Sequence, residues 1–252
     1  MIKTKKDIEL IRAGGRRLAF VMAEVIKRAL PGVLPSELDK LANELIVKNG
    51  DVPSFLNYSP RKSERAFPAS ICVSVNDSVV HGVPTDEPLK EGDVVGIDIG
   101  LNHKGRFTDL AVTVPIGKIS EEAEKLVKIT KEALLKGIKS ARVGNTVGDI
   151  GFSIEEFVKP HKYGIIRDLA GHGVGLAVHE APFIPNFGKA GQGEKLLSGM
   201  VIAIEPMLTL GGEKLTVGSD GMTYKTKDGS LSAHFEHTIL ISENGPEVLT
   251  KI

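Results

Sequence analysis

The sequence predicts a mixed α/β fold assembled from two similar halves, about residues 1–116 and 117–252, within a single domain. Three observations predict it. Apolar periodicities run helix, helix, strands, and then helix, helix, strands again. Glu91-Gly-Asp-Val-Val-Gly-Ile-Asp98 aligns without a gap on Ser198-Gly-Met-Val-Ile-Ala-Ile-Glu205. Phe107-Thr-Asp109 and its apolar strand resemble His234-Phe-Glu236 and the strand that follows. A period of about 110 residues is too long for a solenoid, so the repeat reads as duplication inside one domain.

Each element has its own signal. Ile8, Ile11, Gly15, Leu18, Met22, Val25 and Ala29 step by three and four, laying one stripe along a first helix that Pro31-Gly32 stops. Ser36-x-x-Asp39 is expected to open the second helix, which carries Leu38, Leu41 and Leu45. Residues 53–68, with the basic-polar run Arg61 to Arg65, read as an exposed loop or flap. Strands follow where apolar residues alternate: Ile71, Val73 and Val75; Val95, Ile97 and Ile99; Leu110, Val112 and Val114. Asn102 to Gly105 reads as a hairpin connection. Ser120 opens a third helix, with Glu121 and Glu122 placed at the positive end of its dipole. Thr146-x-x-Asp149 starts a fourth, ended by Pro160. Strands resume at Met200 to Ile204 and continue, with turns at Gly211-Gly212 and Asp228-Gly229, to Ile241.

Composition narrows the class of function. Of 252 residues, 41% are hydrophobic and 25% charged, the values of a folded globular chain able to bury a large core. Lys plus Arg (32) balances Asp plus Glu (32), so no charge field recommends nucleic acid or a membrane surface. The N-terminal stretch lacks an apolar signal region and no run approaches a membrane span. Cys72 is the only cysteine, which excludes an internal disulfide and a Cys-rich zinc module. A soluble cytoplasmic protein is expected.

Two facing halves would bring together Asp98, Asp109, Glu205 and Glu236, each in apolar, strand-like surroundings. Four ionised acids in a semi-buried site repel one another and lose hydration, which raises their pKa values. Two divalent cations would balance that charge. Of the seven histidines, His81, His172 and His179 stand in glycine-rich segments. Gly171 and Gly173 let the chain beside His172 approach a ligand closely, so His172 is assigned as a nitrogen donor to one metal. Other signatures fail. His179-Glu180 lacks the second histidine of a zincin helix, and Gly171-x-Gly173-x-Gly175 is not followed by the helix a dinucleotide loop needs. Cys72 lies between Ile71 and Val73 and reads as a buried apolar thiol.

Taken together, these residues resemble the type I methionine aminopeptidases of the M24 family over almost the whole chain. The likeness rests on the spaced set Asp98, Asp109, His172, Glu205, Glu236. Around it stand Ser74-Val-Asn76 to His81-Gly-Val-Pro84, Gly171-His-Gly173 to His179-Glu-Ala-Pro182, and Ser230-Leu-Ser-Ala-His-Phe-Glu-His-Thr238. The resemblance implies the pseudo-two-fold "pita-bread" fold, an antiparallel sheet flanked by helices. With 25 residues between His179 and Glu205, there is no room for the helical insert of type II enzymes, and a bacterial-style enzyme is expected.

The activity so implied is removal of the initiator methionine from nascent polypeptides when the second residue is small. The resemblance makes all five residues metal ligands for two divalent ions, Mn, Fe, Co or Zn. Asp98 chelates one ion, Asp109 and Glu236 bridge the pair, and Glu205 and His172 hold the other. Glu205 also moves the proton, His179 stabilises the oxyanion and His81 contacts the scissile amide. The matching methionine pocket is Phe67, Cys72, Val178 and Met222. The family usually has a tryptophan where Met222 stands, and this chain has none. A monomer acting on nascent N-termini, at the ribosome or free of it, is expected. An X-Pro aminopeptidase or dipeptidase of the same fold, and an inactive binding module, are the competing readings.

Overall fold

The computed structural model describes residues 2–59 and 65–251. The first half begins with helices α1 (Lys5–Arg28) and α2 (Pro35–Lys48), followed by strands β1 (Val52–Pro53), β2 (Ile71–Val75), β3 (Ser78–Val80), β4 (Val94–His103) and β5 (Arg106–Pro115). The second begins with α3 (Glu121–Ser140) and α4 (Val147–Val158). It continues through β6 (Gly164–Ile165), β7 (Gly171–Gly173), β8 (Glu180–Ile184), β9 (Val201–Ile204) and β10 (Met207–Thr209). It ends with β11 (Leu215–Val217), β12 (Tyr224–Thr226), β13 (Ser232–His234), β14 (His237–Ser242) and β15 (Gly245–Val248).

The expected stripe does bury α1. Ile11, Leu18, Met22 and Val25 are fully inaccessible, and each such side chain contributes about 1.5–3 kcal/mol. Thr4 and Asp7 cap the helix reciprocally. The expected start of α2 is corrected. Pro35 occupies the first helical position, while Glu37 accepts the Leu34 amide at 3.1 Å. Ser36 instead donates to Asp86, and Asp39 accepts the amides of Ser70 and Ile71, pinning the start of β2. The other starts stand as expected. Ser120 accepts the Ala123 amide, and Asp149 accepts both the amide and the hydroxyl of Thr146.

Each half has its own core. α1 and α2 pack on β2, β4 and β5 through Leu18, Leu38, Ile71, Ile97, Ile99 and Leu110. α3 and α4 pack on the second set of strands through Leu126, Ile154, Ile202, Ile204 and Ile239. β4 lies between β2 and β5, and β9 lies between β7 and β14, all antiparallel. The gapless sequence repeat is therefore a spatial repeat, with β4 equivalent to β9. The connection from β4 to β5 is a two-residue hairpin in which Lys104 and Gly105 both have positive φ, 53° and 78°.

The halves are stitched along β5 by two threonines. Thr238 Oγ1 accepts the Asp109 amide at 2.9 Å and donates to the Asp109 carbonyl at 2.8 Å. Thr113 Oγ1 does the same for His234, at 2.8 and 2.7 Å. Between them the Glu236 amide donates directly to the Ala111 carbonyl at 2.9 Å. These contacts share one antiparallel register, with hydroxyls bridging where the strands stand too far apart to bond directly. That seam sets Asp109 and Glu236 facing one another.

Candidate metal centre

The two halves deliver their carboxylates differently. β4 and β5 run unbroken through Asp98 and Asp109. In the second half the strands break at the acids: β9 stops at Ile204, and Glu205 is followed by Pro206, which has no amide to continue the ladder. Asn186 Nδ2 catches the Glu205 carbonyl at 3.0 Å. Phe235 and Glu236 likewise interrupt the path between β13 and β14. Each break turns a carboxylate inward toward the seam.

His172 lies on β7, where neighbouring backbone comes close. A side chain at Gly171 would run into the Ala203 carbonyl, and one at Gly173 into the Ala181 carbonyl. The glycines flanking His172 are thus required by strand packing, which seats the imidazole at the bottom of the cleft. Its Nδ1 lies 2.9 Å from the Gly173 carbonyl, leaving Nε2 3.5 Å from Glu205 Oε1. Asp109, His172 and Glu236 present ligand-capable atoms within 4.8 Å of one another, and so do Glu205, His234 and Glu236.

All five predicted ligands are buried, and two atoms among them are orphaned: Asp98 Oδ1 and Glu236 Oε1 have no hydrogen-bond partner among the described residues. Burial lifts Asp98 to about 7. Burial, then the neighbouring carboxylates, pushes Asp109 and Glu236 well above the ordinary carboxyl range. Glu205 goes the other way: burial raises it, but His234 and His172 beside it outweigh that and hold it ionised. Crowded, orphaned oxygens next to one imidazole fit divalent cations that accept oxygen and nitrogen donors.

A pH dependence follows. A carboxyl whose pKa is raised in the fold binds its proton more tightly folded than unfolded. That stabilisation is complete below the ordinary carboxyl range and is lost as pH climbs through the raised value. Desolvation holds His81, His179 and His237 below the ordinary histidine range, an opposing contribution that ends once the unfolded imidazoles have lost their protons, above about pH 7. As pH rises above about 7, where Asp98 gives up its proton, the metal-free protein should lose melting temperature, and Mn²⁺ should stabilise it increasingly. Thermal scans with and without the ion measure this. A metal-induced shift that shrinks with rising pH would contradict the buried-acid account.

Above the acids opens a cavity of about 790 Å³. Its lining includes Asp98, Asp109, His172, Glu205 and Glu236, together with His81 and His179. The His172 and His179 rings meet edge to face, with centroids 4.5 Å apart. His81 holds a left-handed φ of 58°, rare for a residue with a side chain, with its ring edge-on to Tyr224.

Residues 9–243 match the model of metallopeptidase family M24. The chain belongs to that family. It is 45% identical over 252 residues to a methionine aminopeptidase of Clostridium perfringens, covering 100% of this chain and 99% of that one. It superposes on the crystal structure of methionine aminopeptidase from Thermotoga maritima with a TM-score of 0.95 at 42% identity, covering 100% and 99% of the two chains. The expected pita-bread fold is thereby shown. An Xaa-Pro dipeptidase from Bacillus anthracis shares the fold alone, with a TM-score of 0.79 at 23% identity over 62% of its length. Between His179 and Glu205 this M24 chain has only β8, β9 and turns, with no added helix.

Within the M24 cavity the pocket residues divide. Phe67 and Cys72 pack with Phe55 in one apolar cluster on the wall, and Met222 lines the same cavity. Val178 belongs to that cluster but is buried outside the lining. Phe67 is placed by pairing of its backbone with Asn57 and Tyr58, so the base of the 53–68 stretch is cavity wall. Arg61 to Glu64, part of the expected flap, lie outside the described residues. Sequence reasoning assigns no role to three further participants. Tyr58 places its hydroxyl 2.7 Å from His179 Nδ1. His234 sits buried beside Glu205. Lys3 donates to Glu180, which also accepts the amides of Leu176 and Ala177 and so fixes the turn presenting His179.

Proposed function

We propose that Asp98, Asp109, His172, Glu205 and Glu236 hold two divalent metal ions and that the chain uses them to remove N-terminal methionine from new polypeptides. The observation that carries this is the convergence of four carboxylates and one imidazole at the floor of a cavity with an apolar side wall, in a chain of this family. Asp109 and Glu236 face each other across the seam and suit bridging positions. Asp98 would serve one ion, and His172 with Glu205 the other; Mn²⁺, Fe²⁺, Co²⁺ and Zn²⁺ would all suit such a set. When bound, paired ions supply Lewis acidity and lower the pKa of water.

The protein residues supply the rest. Phe67, Cys72 and Met222 receive the methionine side chain, which orients the first peptide bond over the acids. Glu205, kept ionised, accepts the proton of the attacking water and returns it to the leaving amine. Tyr58 donating to His179 Nδ1 places the proton of the neutral ring on Nε2, a donor for the oxyanion. His81 contacts the scissile amide from the other side. Both halves contribute ligands, so residues 1–252 act as one catalytic domain. The substrate is a nascent N-terminus in the cytoplasm, met by a monomer at or near the ribosome. No helix among the described residues is long and apolar enough to cross a membrane.

Activity on a Met-Ala peptide should vanish on chelation and return with Mn²⁺, Co²⁺ or Fe²⁺. Met-Leu should be cut at least about 100-fold more slowly than Met-Ala, because the second side chain abuts the floor of the cavity. Full activity without metal would remove the site assignment; indifference to the second residue would remove the specificity.

A further inference from the structure

His234 is the one buried imidazole beside the acids that the proposed ligand set leaves unused. It is 3% exposed, and its backbone is locked in both directions by the Thr113 hydroxyl. Its Nε2 has no hydrogen-bond partner among the described residues, yet stands 3.4 Å from Glu205 Oε2. The other oxygen of the same carboxylate, Oε1, stands 3.5 Å from His172 Nε2. Glu205 is therefore held between two imidazoles, one oxygen turned to each.

We propose that His234 is a positioning residue for Glu205: its Nε2–H engages Oε2, so that Oε1 stays aimed at the metal beside His172. This rests on the metal-site reading above. A glutamate side chain has three torsions, and one oxygen bound to an ion fixes them poorly. A donor on the second oxygen fixes the carboxylate plane, as outer partners do for ligating side chains in many metal sites. Closing 3.4 Å to an ordinary hydrogen bond needs roughly half an ångström of movement, within reach of one side-chain rotation. The rigidity of His234 sets the direction of that movement. Its backbone is pinned by Thr113 on the opposite strand, whereas Glu205 sits at a strand break. Glu205 is the partner that moves.

Calorimetric titration of metal-free protein with Mn²⁺, together with the visible spectrum of the Co²⁺-loaded form, tests this. His234→Leu removes the donor and should loosen one of the two ions by about 10- to 100-fold, leaving the other near its wild-type affinity. His234→Gln restores an N–H at similar reach and should stay within about threefold of wild type. His234→Asn, whose amide is too short, should behave like the leucine variant and replaces it if His234→Leu does not fold. Wild-type affinity for both ions in the leucine and asparagine variants would overturn the proposal. Equal loss in His234→Gln, with a Co²⁺ spectrum showing one nitrogen donor fewer, would overturn it in favour of direct ligation. Glu205→Gln separates this from failure of the underlying site. If that variant binds both ions normally, Glu205 is no ligand and the metal assignment itself falls.

Discussion

Glu236→Gln should bind neither ion normally and lose more than about 100-fold in kcat/KM, the upper range for losing an outer-shell partner alone. The seam explains the size of the effect. Glu236 approaches from one half and Asp109 from the other, with backbones registered by the Thr238 and Thr113 bridges. A bridging carboxylate serves two ions at once, so its amide analogue weakens both and removes a negative charge from between them. Asp109→Asn should match it. Asp98→Asn should differ in kind, impairing one ion and recovering activity as metal concentration rises. Metal content by elemental analysis, alongside kinetics across a metal titration, distinguishes these patterns. A Glu236→Gln protein holding two ions at wild-type affinity would refute the bridge.

The part of this site that was legible beforehand has a physical reason. Duplicated strands keep their apolar alternation because each buries a face against a helix pair, so the repeat survives in the residue pattern. The acids stand out against that pattern: Asp98 and Glu205 close the two aligned segments, as the spatial equivalence of β4 and β9 requires. What was not legible depends on contacts between segments far apart in sequence. Ser36 and Asp39 look like a local cap, but both side chains are claimed by distant partners, Asp86 and the start of β2. Tyr58 sits in an irregular stretch with no periodicity, and meets His179 only because Phe67 and Phe55 bring the loop base onto the cavity wall. Val178 joins the same apolar cluster as Phe55, Phe67 and Cys72, and its burial there depends on a loop from the other half of the chain. His234 was visible only as part of the repeat. Its role depends on which way a strand break turns Glu205.

The two neighbouring histidines should separate cleanly. His179→Ala should bind two ions nearly as well as wild type, yet lose on the order of 10²–10³ in kcat with a modest change in KM. Its ring is edge-on to His172. Its Nδ1 is engaged by Tyr58, so Nε2 is the nitrogen free to face substrate. A donor so placed acts mainly on charge that develops during the reaction, which is why kcat falls rather than affinity. Tyr58→Phe leaves the ring but frees its tautomer and orientation, and should cost about tenfold in kcat with metal binding unchanged. His172→Ala should behave oppositely, losing affinity for one ion and regaining part of its activity at high metal concentration. His81→Ala should follow His179→Ala in milder form, since its proposed partner is the amide rather than the oxyanion. Calorimetry against Mn²⁺ and steady-state kinetics on the four variants give the answer. A metal-deficient His179→Ala beside a metal-replete His172→Ala would exchange the two roles, and the Tyr58 contact would then orient a ligand instead of a donor.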